Sequence, residues 1–445
     1  MNTPICDFVR RYTESGTLRL HMPGHKGASL LGFEAYDITE IRGADSLYEV
    51  DGIIAESEKN ASSLFGAHTL YSTEGSSQCI RAMVHLMSLH ARAEGKKPHI
   101  LAGRNAHKTF LSAVALLDTD VTWLCPETTD SYLSCSVDAA TLDKMLSETR
   151  EITAVYLTSP DYLGNTVDIA PLSEICHRHG VLLAVDNAHG AYLKFLPESR
   201  HPIDLGADLC CDSAHKTLPT LTGGAYLHLS ENAPPLIREQ AKNALALFGS
   251  TSPSYLILQS LDITNRYLSN NFPARLAAFV REVEMLREKL TAHGYSLVGN
   301  EPLKLTLSTK PYGYAGTAFA DLLRGQNMEC EFADPDFVVM MLTPETGADG
   351  LEKLEAALLS LPRRPAITET PPPFHRPRAV MSPREATLHP CETLPTEKCL
   401  GKILAAANVG CPPAVPLSVC GERLDEESLL RFAYYGIEGC TVVKE

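Results

Sequence analysis

The chain has 445 residues, 44% of them hydrophobic and 21% charged, the balance of a folded globular protein rather than a disordered one. A net charge of -15 excludes the basic footprint of a nucleic-acid binder. No apolar run reaches the length of a membrane span, and the first segment, with Asp7, Arg10, Arg11 and Glu14, lacks the apolar centre of a signal peptide. The length suggests about two to four domains. Thirteen cysteines are scattered with no Cys-x-x-Cys pair, and Cys125, Cys210 and Cys211 fall inside apolar runs. Such usage predicts reduced thiols in a cytoplasmic protein and no metal site.

Taken in order, the first organised segment is His21-Met22-Pro23-Gly24-His25-Lys26-Gly27, a Pro-Gly turn carrying two histidines and a lysine. From Asp37 to Gly52 the chain is acidic and aperiodic, which predicts an extended, loop-rich arm. Ile53 to Phe65 reads as a helix, with Glu56 and Glu58 in its early turns. Thr69 to Thr73 closes a strand. The helix that follows, from about Ser76 to Ala93, buries Ile80, Met83, Val84 and Met87 on one face. Gly75-Ser76-Ser77 at its start offers free backbone N–H groups and two hydroxyls to an anion such as phosphate, although either serine could equally be a cap.

Strands and helices then alternate. Strands are expected at His99–Gly103, Val121–Cys125 and Ile152–Thr158, with helices up to Leu117, from Val137 to Glu148 and from Leu172 to His179. Two continuous apolar phrases follow, Val181 to Asp186 and Ala207 to Asp212, and a further strand from Gly223 to Leu229. Continuous rather than alternating apolar residues mark strands buried on both faces, and the alternation with helices predicts an α/β fold with a mostly parallel sheet. Helices from Ser254 to about Asn271 and from Ala274 to Ala292, divided at Pro273, lead to a smaller α+β unit. That unit has strands at Leu303–Leu307 and Phe337–Leu342 and helices at Gly316–Arg324 and Gly350–Leu361. A proline-rich stretch around Pro362, Pro365 and Pro371-Pro372-Pro373 connects it to a last module containing the extended Cys411-Pro412-Pro413-Ala414-Val415-Pro416.

Chemistry concentrates at the two apolar phrases. The first ends in Asp186-Asn187-Ala188-His189-Gly190 and the second in Asp212-Ser213-Ala214-His215-Lys216. Open α/β sheets bind ligands at the carboxyl ends of their strands. An aspartate after one strand and a lysine after a later one is what pyridoxal phosphate chemistry needs: the lysine for a Schiff base, the aspartate to keep the pyridine nitrogen protonated. His107, between a strand and a helix, can stack on a flat ring.

These motifs, with Arg104-Asn105-Ala106-His107-Lys108, Ser382-Pro383-Arg384-Glu385-Ala386 and Pro412-Pro413-Ala414-Val415-Pro416…Gly421-Glu422, resemble in order the short, wing-less form of the ornithine/lysine/arginine decarboxylases, from Leu20 to the C-terminus. The resemblance implies a pyridoxal 5'-phosphate enzyme of fold type I. It implies a large domain over residues 61–295, a small α+β domain over 296–362 and a C-terminal decarboxylase module over 378–445, with an N-terminal arm over 1–60 and a proline-rich linker over 363–377. By the same resemblance Lys216 carries the cofactor, Asp186 pairs with its ring nitrogen, His107 stacks on the ring and His189 lies beside it. Ser76, Ser77, Ser213 and His215 hold the phosphate. The implied reaction is decarboxylation of arginine, lysine or ornithine to the amine, a polyamine precursor, in a homodimer whose N-terminal arm and Gly249–Ser254 stretch cross between subunits.

The resemblance places the arm at the mouth of the site, next to the His25-Lys26 turn, and His25, Lys26 and Asp45 are the expected substrate residues. Of the arm's acids Asp37, Glu40, Asp45, Glu49 and Asp51, Asp45 is expected first to meet the cationic end of the substrate, because a buried cation needs a carboxylate. Two departures stand out: Asn187 where a glutamate is common, and Cys420 where a proline usually precedes Gly421-Glu422. Two other readings stay open, an aminotransferase or lyase of the same fold and a catalytically silent regulatory relative.

Overall fold

The computed structural model describes residues 1–125, 131–149, 151–407 and 413–444. Cys411 and Pro412, which open the expected extended turn, lie outside the described residues. The strands are β1 His68–Ser72, β2 His99–Gly103, β3 Asp120–Leu124, β4 Ala154–Thr158, β5 Leu182–Asp186, β6 Leu209–Asp212, β7 Ala225–Leu229, β8 Ser296–Val298, β9 Lys304–Ser308, β10 Phe332–Ala333, β11 Phe337–Met341, β12 Cys391–Pro395 and β13 Gly439–Val443. The helices are α1 Pro4–Glu14, α2 Ile53–Phe65, α3 Gly75–Ala93, α4 Lys108–Leu117, α5 Ala139–Glu148, α6 Ile169–Arg178, α7 Ala214–Thr217, α8 Pro235–Ala246, α9 Tyr255–Ser269, α10 Phe272–His293, α11 Gly316–Arg324, α12 Gly347–Ser360, α13 Pro383–Leu388 and α14 Glu426–Tyr434.

The chain divides into two compact units. The first comprises Met1–Lys96 and Ile169–Leu276. Its strands run in the order β1-β7-β6-β5, with β5 and β6 parallel and β7 antiparallel to both β6 and β1. Strands β5, β6 and β7 are buried along their whole length, as their unbroken apolar runs predict. Helix α3 packs over this sheet and against α8, while α1, α2 and α9 pack on one another. The proline at position 4 opens α1, where its missing N–H costs nothing.

The second unit comprises Lys97–Asp168 and Ala277–Glu445. Here β2 runs parallel to β3 and to β4, and α4 and α5 follow β2 and β3. A separate antiparallel sheet, β10-β11-β9-β8, carries α11 and forms the expected α+β element, and β12 pairs with β13 in the last module. The proline-rich stretch has no regular structure but is not loose: Arg364 N–H bonds the Tyr312 carbonyl at 3.1 Å and its guanidinium lies 4.4 Å over the Tyr314 ring. Cys399, Leu404, Leu417, Leu424, Phe432, Cys440 and Val442 form the core of the C-terminal module.

That module is tied to the β2 end of its unit by one buried ion pair. Arg104 Nη2 meets Glu422 Oε2 at 3.2 Å, and both side chains are almost wholly buried. The guanidinium also donates to the carbonyls of Pro416 and Leu417, and Glu422 Oε2 accepts the Val419 N–H at 2.8 Å. Breaking a buried pair from one side leaves an uncompensated charge and costs about 3–5 kcal/mol. Glu422→Ala is therefore expected to lower the thermal unfolding midpoint strongly and Arg104→Met/Glu422→Leu to recover part of the loss. A midpoint unchanged in Glu422→Ala would show that the pair is dispensable.

Candidate active site

Parallel pairing of β5 with β6 sets Asp186 opposite Cys211, so both strands deliver their polar ends to the same edge of the first unit. Asp186 closes β5 and is 3% exposed. Its Oδ1 accepts the Ala188 N–H at 3.2 Å and faces the Cys211 thiol at 3.6 Å. Burial, then the Asp186 charge, pushes the Cys211 thiol well up, so sulfur stays protonated and donates toward the carboxylate. Beyond β6, Ser213 leads into α7, a single turn bearing His215 and Lys216. The Lys216 Nζ lies 2.9 Å from His189 Nε2, three residues past Asp186. The lysine, the histidine and the aspartate named from sequence are thus gathered on two adjacent strand ends.

The serine motif meets the same place. Helix α3 begins at Gly75, which sits in the left-handed region at φ +68° and whose N–H bonds the Gly223 carbonyl at 2.8 Å. Ser76 and Ser77 therefore occupy the first turn and are not caps. Ser213 Oγ donates to Ser76 Oγ at 2.8 Å, which brings hydroxyls from two motifs 137 positions apart into contact. His215 lies beside the turn, its Nδ1 donating to the Gly224 carbonyl at 3.0 Å, and its Cε1 would be 3.8 Å from a Cβ added at Gly75. Glu74 gives the helix no side-chain cap and there is no acid in its first turn, so the positive end of a 19-residue helix faces this cluster.

Behind this edge stands a network that sequence reading missed. Asp212, fully buried, accepts the Asn187 amide on Oδ1 at 2.6 Å and His201 and His228 Nε2 on Oδ2 at 3.1 and 3.0 Å. Burial alone raises this carboxyl, yet the two imidazoles hold it well below the usual carboxylate range. Burial pushes the His228 imidazole down while Asp212 opposes the shift. His201 and His228 carry no local pattern: they come from a His-Pro turn and from the middle of β7, and only the fold brings them together.

The remaining expected residues behave differently. His107, in the second unit, is the N-cap of α4: its Nδ1 accepts the Thr109 N–H at 3.1 Å, which leaves the ring proton on Nε2. His25 Nδ1 accepts from the Gly27 N–H and its Nε2 faces Asp37 Oδ2 at 3.2 Å, while Lys26 Nζ bonds the His21 carbonyl. Asp45 is a correction. Expected to face a substrate cation, it is buried, and its two oxygens accept five backbone N–H groups, from Ser46, Asp51, Gly52, Ile54 and Ala55. A carboxylate has about four lone-pair sites, so this one is saturated by the loop and helix start that it organises. The sequence shows its charge but not the convergence of those amides.

Residues 3–298 match the family model described as Orn/Lys/Arg decarboxylase, major domain. The chain is 28% identical over 467 residues to the protein YaaO of Bacillus subtilis (strain 168), covering 97% of this chain and 94% of that one. It is 27% identical over 464 residues to an arginine decarboxylase of the same organism, covering 96% and 92%. Among solved structures, lysine decarboxylase A from Pseudomonas aeruginosa matches with a TM-score of 0.80 at 18% identity over 98% of this chain and 76% of that one, a likeness of fold. With the family model spanning well over half of its length and the strand-end residues gathered as described, the chain belongs to the Orn/Lys/Arg decarboxylase family and is an amino acid decarboxylase of fold type I architecture.

Proposed function

We propose that the protein decarboxylates a basic amino acid, arginine, lysine or ornithine, to the corresponding amine with pyridoxal 5'-phosphate held at Lys216. The observation that carries the reading is the convergence on one sheet edge of Asp186, of Lys216 with His189 at 2.9 Å, and of a helix start lined by Ser76 and Ser213. These residues fit the cofactor: a helix start with hydroxyls and no acid in its first turn suits a phosphate, and a buried carboxylate suits a protonated ring nitrogen. When bound, the cofactor supplies an electron sink for the bond that releases carbon dioxide. The protein's part is to hold and to move protons. Asp186, kept in a dry pocket by the Ala188 amide and the Cys211 thiol, fixes a proton at the ring nitrogen. Lys216 is the attachment point, and the Lys216–His189 pair can return a proton to the substrate's Cα. Ser76, Ser77, Ser213 and His215 bind the phosphate.

Reduced, buried thiols support a cytoplasmic setting: burial raises Cys79, Cys176, Cys210 and Cys211 alike. Among the described residues no helix is long and apolar enough to cross a membrane. A homodimer is supported by the arm, where Leu18, Leu20, Leu30 and Leu31 are each more than three-quarters exposed, a concentration of apolar surface unusual for a monomer.

The test of the reaction is amine formation from arginine, lysine and ornithine in parallel, with pyridoxal phosphate supplied. One of the three is expected to turn over, Lys216→Ala to lose both turnover and the borohydride-reducible bond to the cofactor, and Asp186→Asn to lose about a thousandfold in kcat, ~4 kcal/mol of barrier. No amine from any of the three, or a fully active Asp186→Asn, overturns the reading. For assembly, Leu20→Asp/Leu31→Asp is expected to sediment as a monomer with little activity while keeping its helical circular dichroism. A fully active wild-type monomer at assay concentration removes the dimer.

A further inference from the structure

Within the second unit a cavity of about 390 Å³ opens between the β10–β11 turn and α14, lined by Tyr132, Phe332, Asp334, Val415, Tyr435 and Ile437 among others. None of these residues enters the reaction proposed above. Asp334 is 6% exposed. Its Oδ1 accepts the N–H groups of Asp336 and Phe337, both at 2.8 Å, whereas its buried Oδ2 has no hydrogen-bond partner among the described residues. Burial pushes this carboxyl up to about 6, with the nearby Asp336 adding to the rise and the two amides and Lys310 opposing it. It is thus largely ionised at neutral pH.

The obvious internal counter-ion is already engaged. Lys310 Nζ pairs with Asp336 Oδ1 at 3.0 Å, donates to the Glu369 carbonyl at 2.9 Å and also bonds the Tyr434 hydroxyl. Of Asp334, Asp336 and Lys310, one negative charge is left over. The walls around it are aromatic: Tyr132 and Tyr435 pack edge-to-face with centroids 4.7 Å apart, and Tyr434 meets Tyr435 at 4.9 Å. Tyr132, Tyr434 and Tyr435 line the same cavity as Asp334, and the Tyr132 and Tyr435 hydroxyls are raised, first by burial and then by the charge of Asp334. A buried, unmatched carboxylate oxygen on the wall of a cavity lined by aromatic rings is a site for an organic cation.

We propose that this cavity binds a primary alkylammonium ion, with Asp334 Oδ2 as its counter-ion, the tyrosine rings as its cage and the Val415–Ile437 wall as the seat of its chain. Only one oxygen is available, since Oδ1 is held by the backbone. An ammonium can use one acceptor, while the planar fork of a guanidinium gains its advantage from two. The volume suits a short chain and lies within the range of small-molecule pockets. The assignment stands on this cavity alone, although the amine product of the proposed reaction belongs to the same chemical class.

Titration calorimetry of the cofactor-loaded full chain with n-pentylamine tests it. Because an amine could also enter at the lysine, the same titration is run on Lys216→Ala. The expected result is a binding event that survives in Lys216→Ala and weakens by at least about tenfold in Asp334→Asn. Asparagine keeps the Oδ1 acceptor for the two backbone amides and puts an NH2 donor in place of Oδ2, so both the charge and the free acceptor are lost. Ala433→Trp, on the exposed face of α14 where it lines the cavity, is expected to weaken binding equally and stands in if Asp334→Asn does not fold. 1-Pentanol is expected to give no event, and n-pentylguanidine to bind more weakly than the amine. Undiminished affinity in Asp334→Asn or Ala433→Trp, disappearance of the event in Lys216→Ala, or equal binding of pentanol overturns the proposal, and tighter binding of the guanidine overturns the choice of ammonium.

Discussion

A fully buried carboxylate underlies the geometry of the catalytic edge. Asp212 sits at the end of β6 with no solvent around it, and three side chains from three other parts of the first unit converge on its two oxygens. In a low-dielectric interior such a charge is tolerable only with its hydrogen bonds complete, so the positions of Asn187, His201 and His228 are set within narrow limits. Asn187 is the residue between Asp186 and the loop carrying His189. Its backbone is fixed as well, its N–H bonding the Cys211 carbonyl at 3.0 Å and its carbonyl accepting from Gly190 at 2.8 Å. Asp186 is thus positioned, through its neighbour Asn187, by a second carboxylate. The asparagine also makes chemical sense beside Asp212: an amide can donate there, whereas an ionised glutamate would face like charge.

Much of this was legible in the chain. Continuous apolar runs predict β2, β4, β5, β6 and β7 to within about two residues, because a strand covered on both faces has no polar side to blur the signal. Helices α2 and α11 match their expected bounds, Ile53–Phe65 and Gly316–Arg324. Prolines misled in one consistent way. Helices α1, α6, α8 and α10 all hold a proline in their first turn, at Pro4, Pro171, Pro235 and Pro273, where it replaces an N–H that has no intrahelical partner anyway. Reading Pro273 as a divider therefore started α10 two residues late, and Leu172 as the start of α6 was late for the same reason.

The site divides along a similar line. Lys216, Asp186 and the serine turn are strand-end and helix-start features, so local sequence reveals them. What sequence cannot supply is which lone pairs are already occupied. Asp45 carries the right charge in an acidic arm, yet its oxygens are filled by amides that the turn before α2 brings together. Asp334, in a stretch with no motif, keeps one oxygen unmatched among the described residues. Charge is a property of the residue, but availability is a property of the fold.

The Arg104–Glu422 pair has a consequence for the order in which the chain can be finished. Its partners are 318 residues apart, and the second unit is itself discontinuous. During synthesis, at roughly 5–20 residues per second, the guanidinium precedes its carboxylate by on the order of tens of seconds. Over that interval β2, β3 and β4 cannot bury Arg104 without stranding a charge, so they wait, solvated and incomplete, while Ile169–Leu276 of the first unit and the later part of their own unit are made. The segment that carries Glu422 is in that sense a closing bolt: strands made early settle only once a carboxylate 318 positions later has arrived.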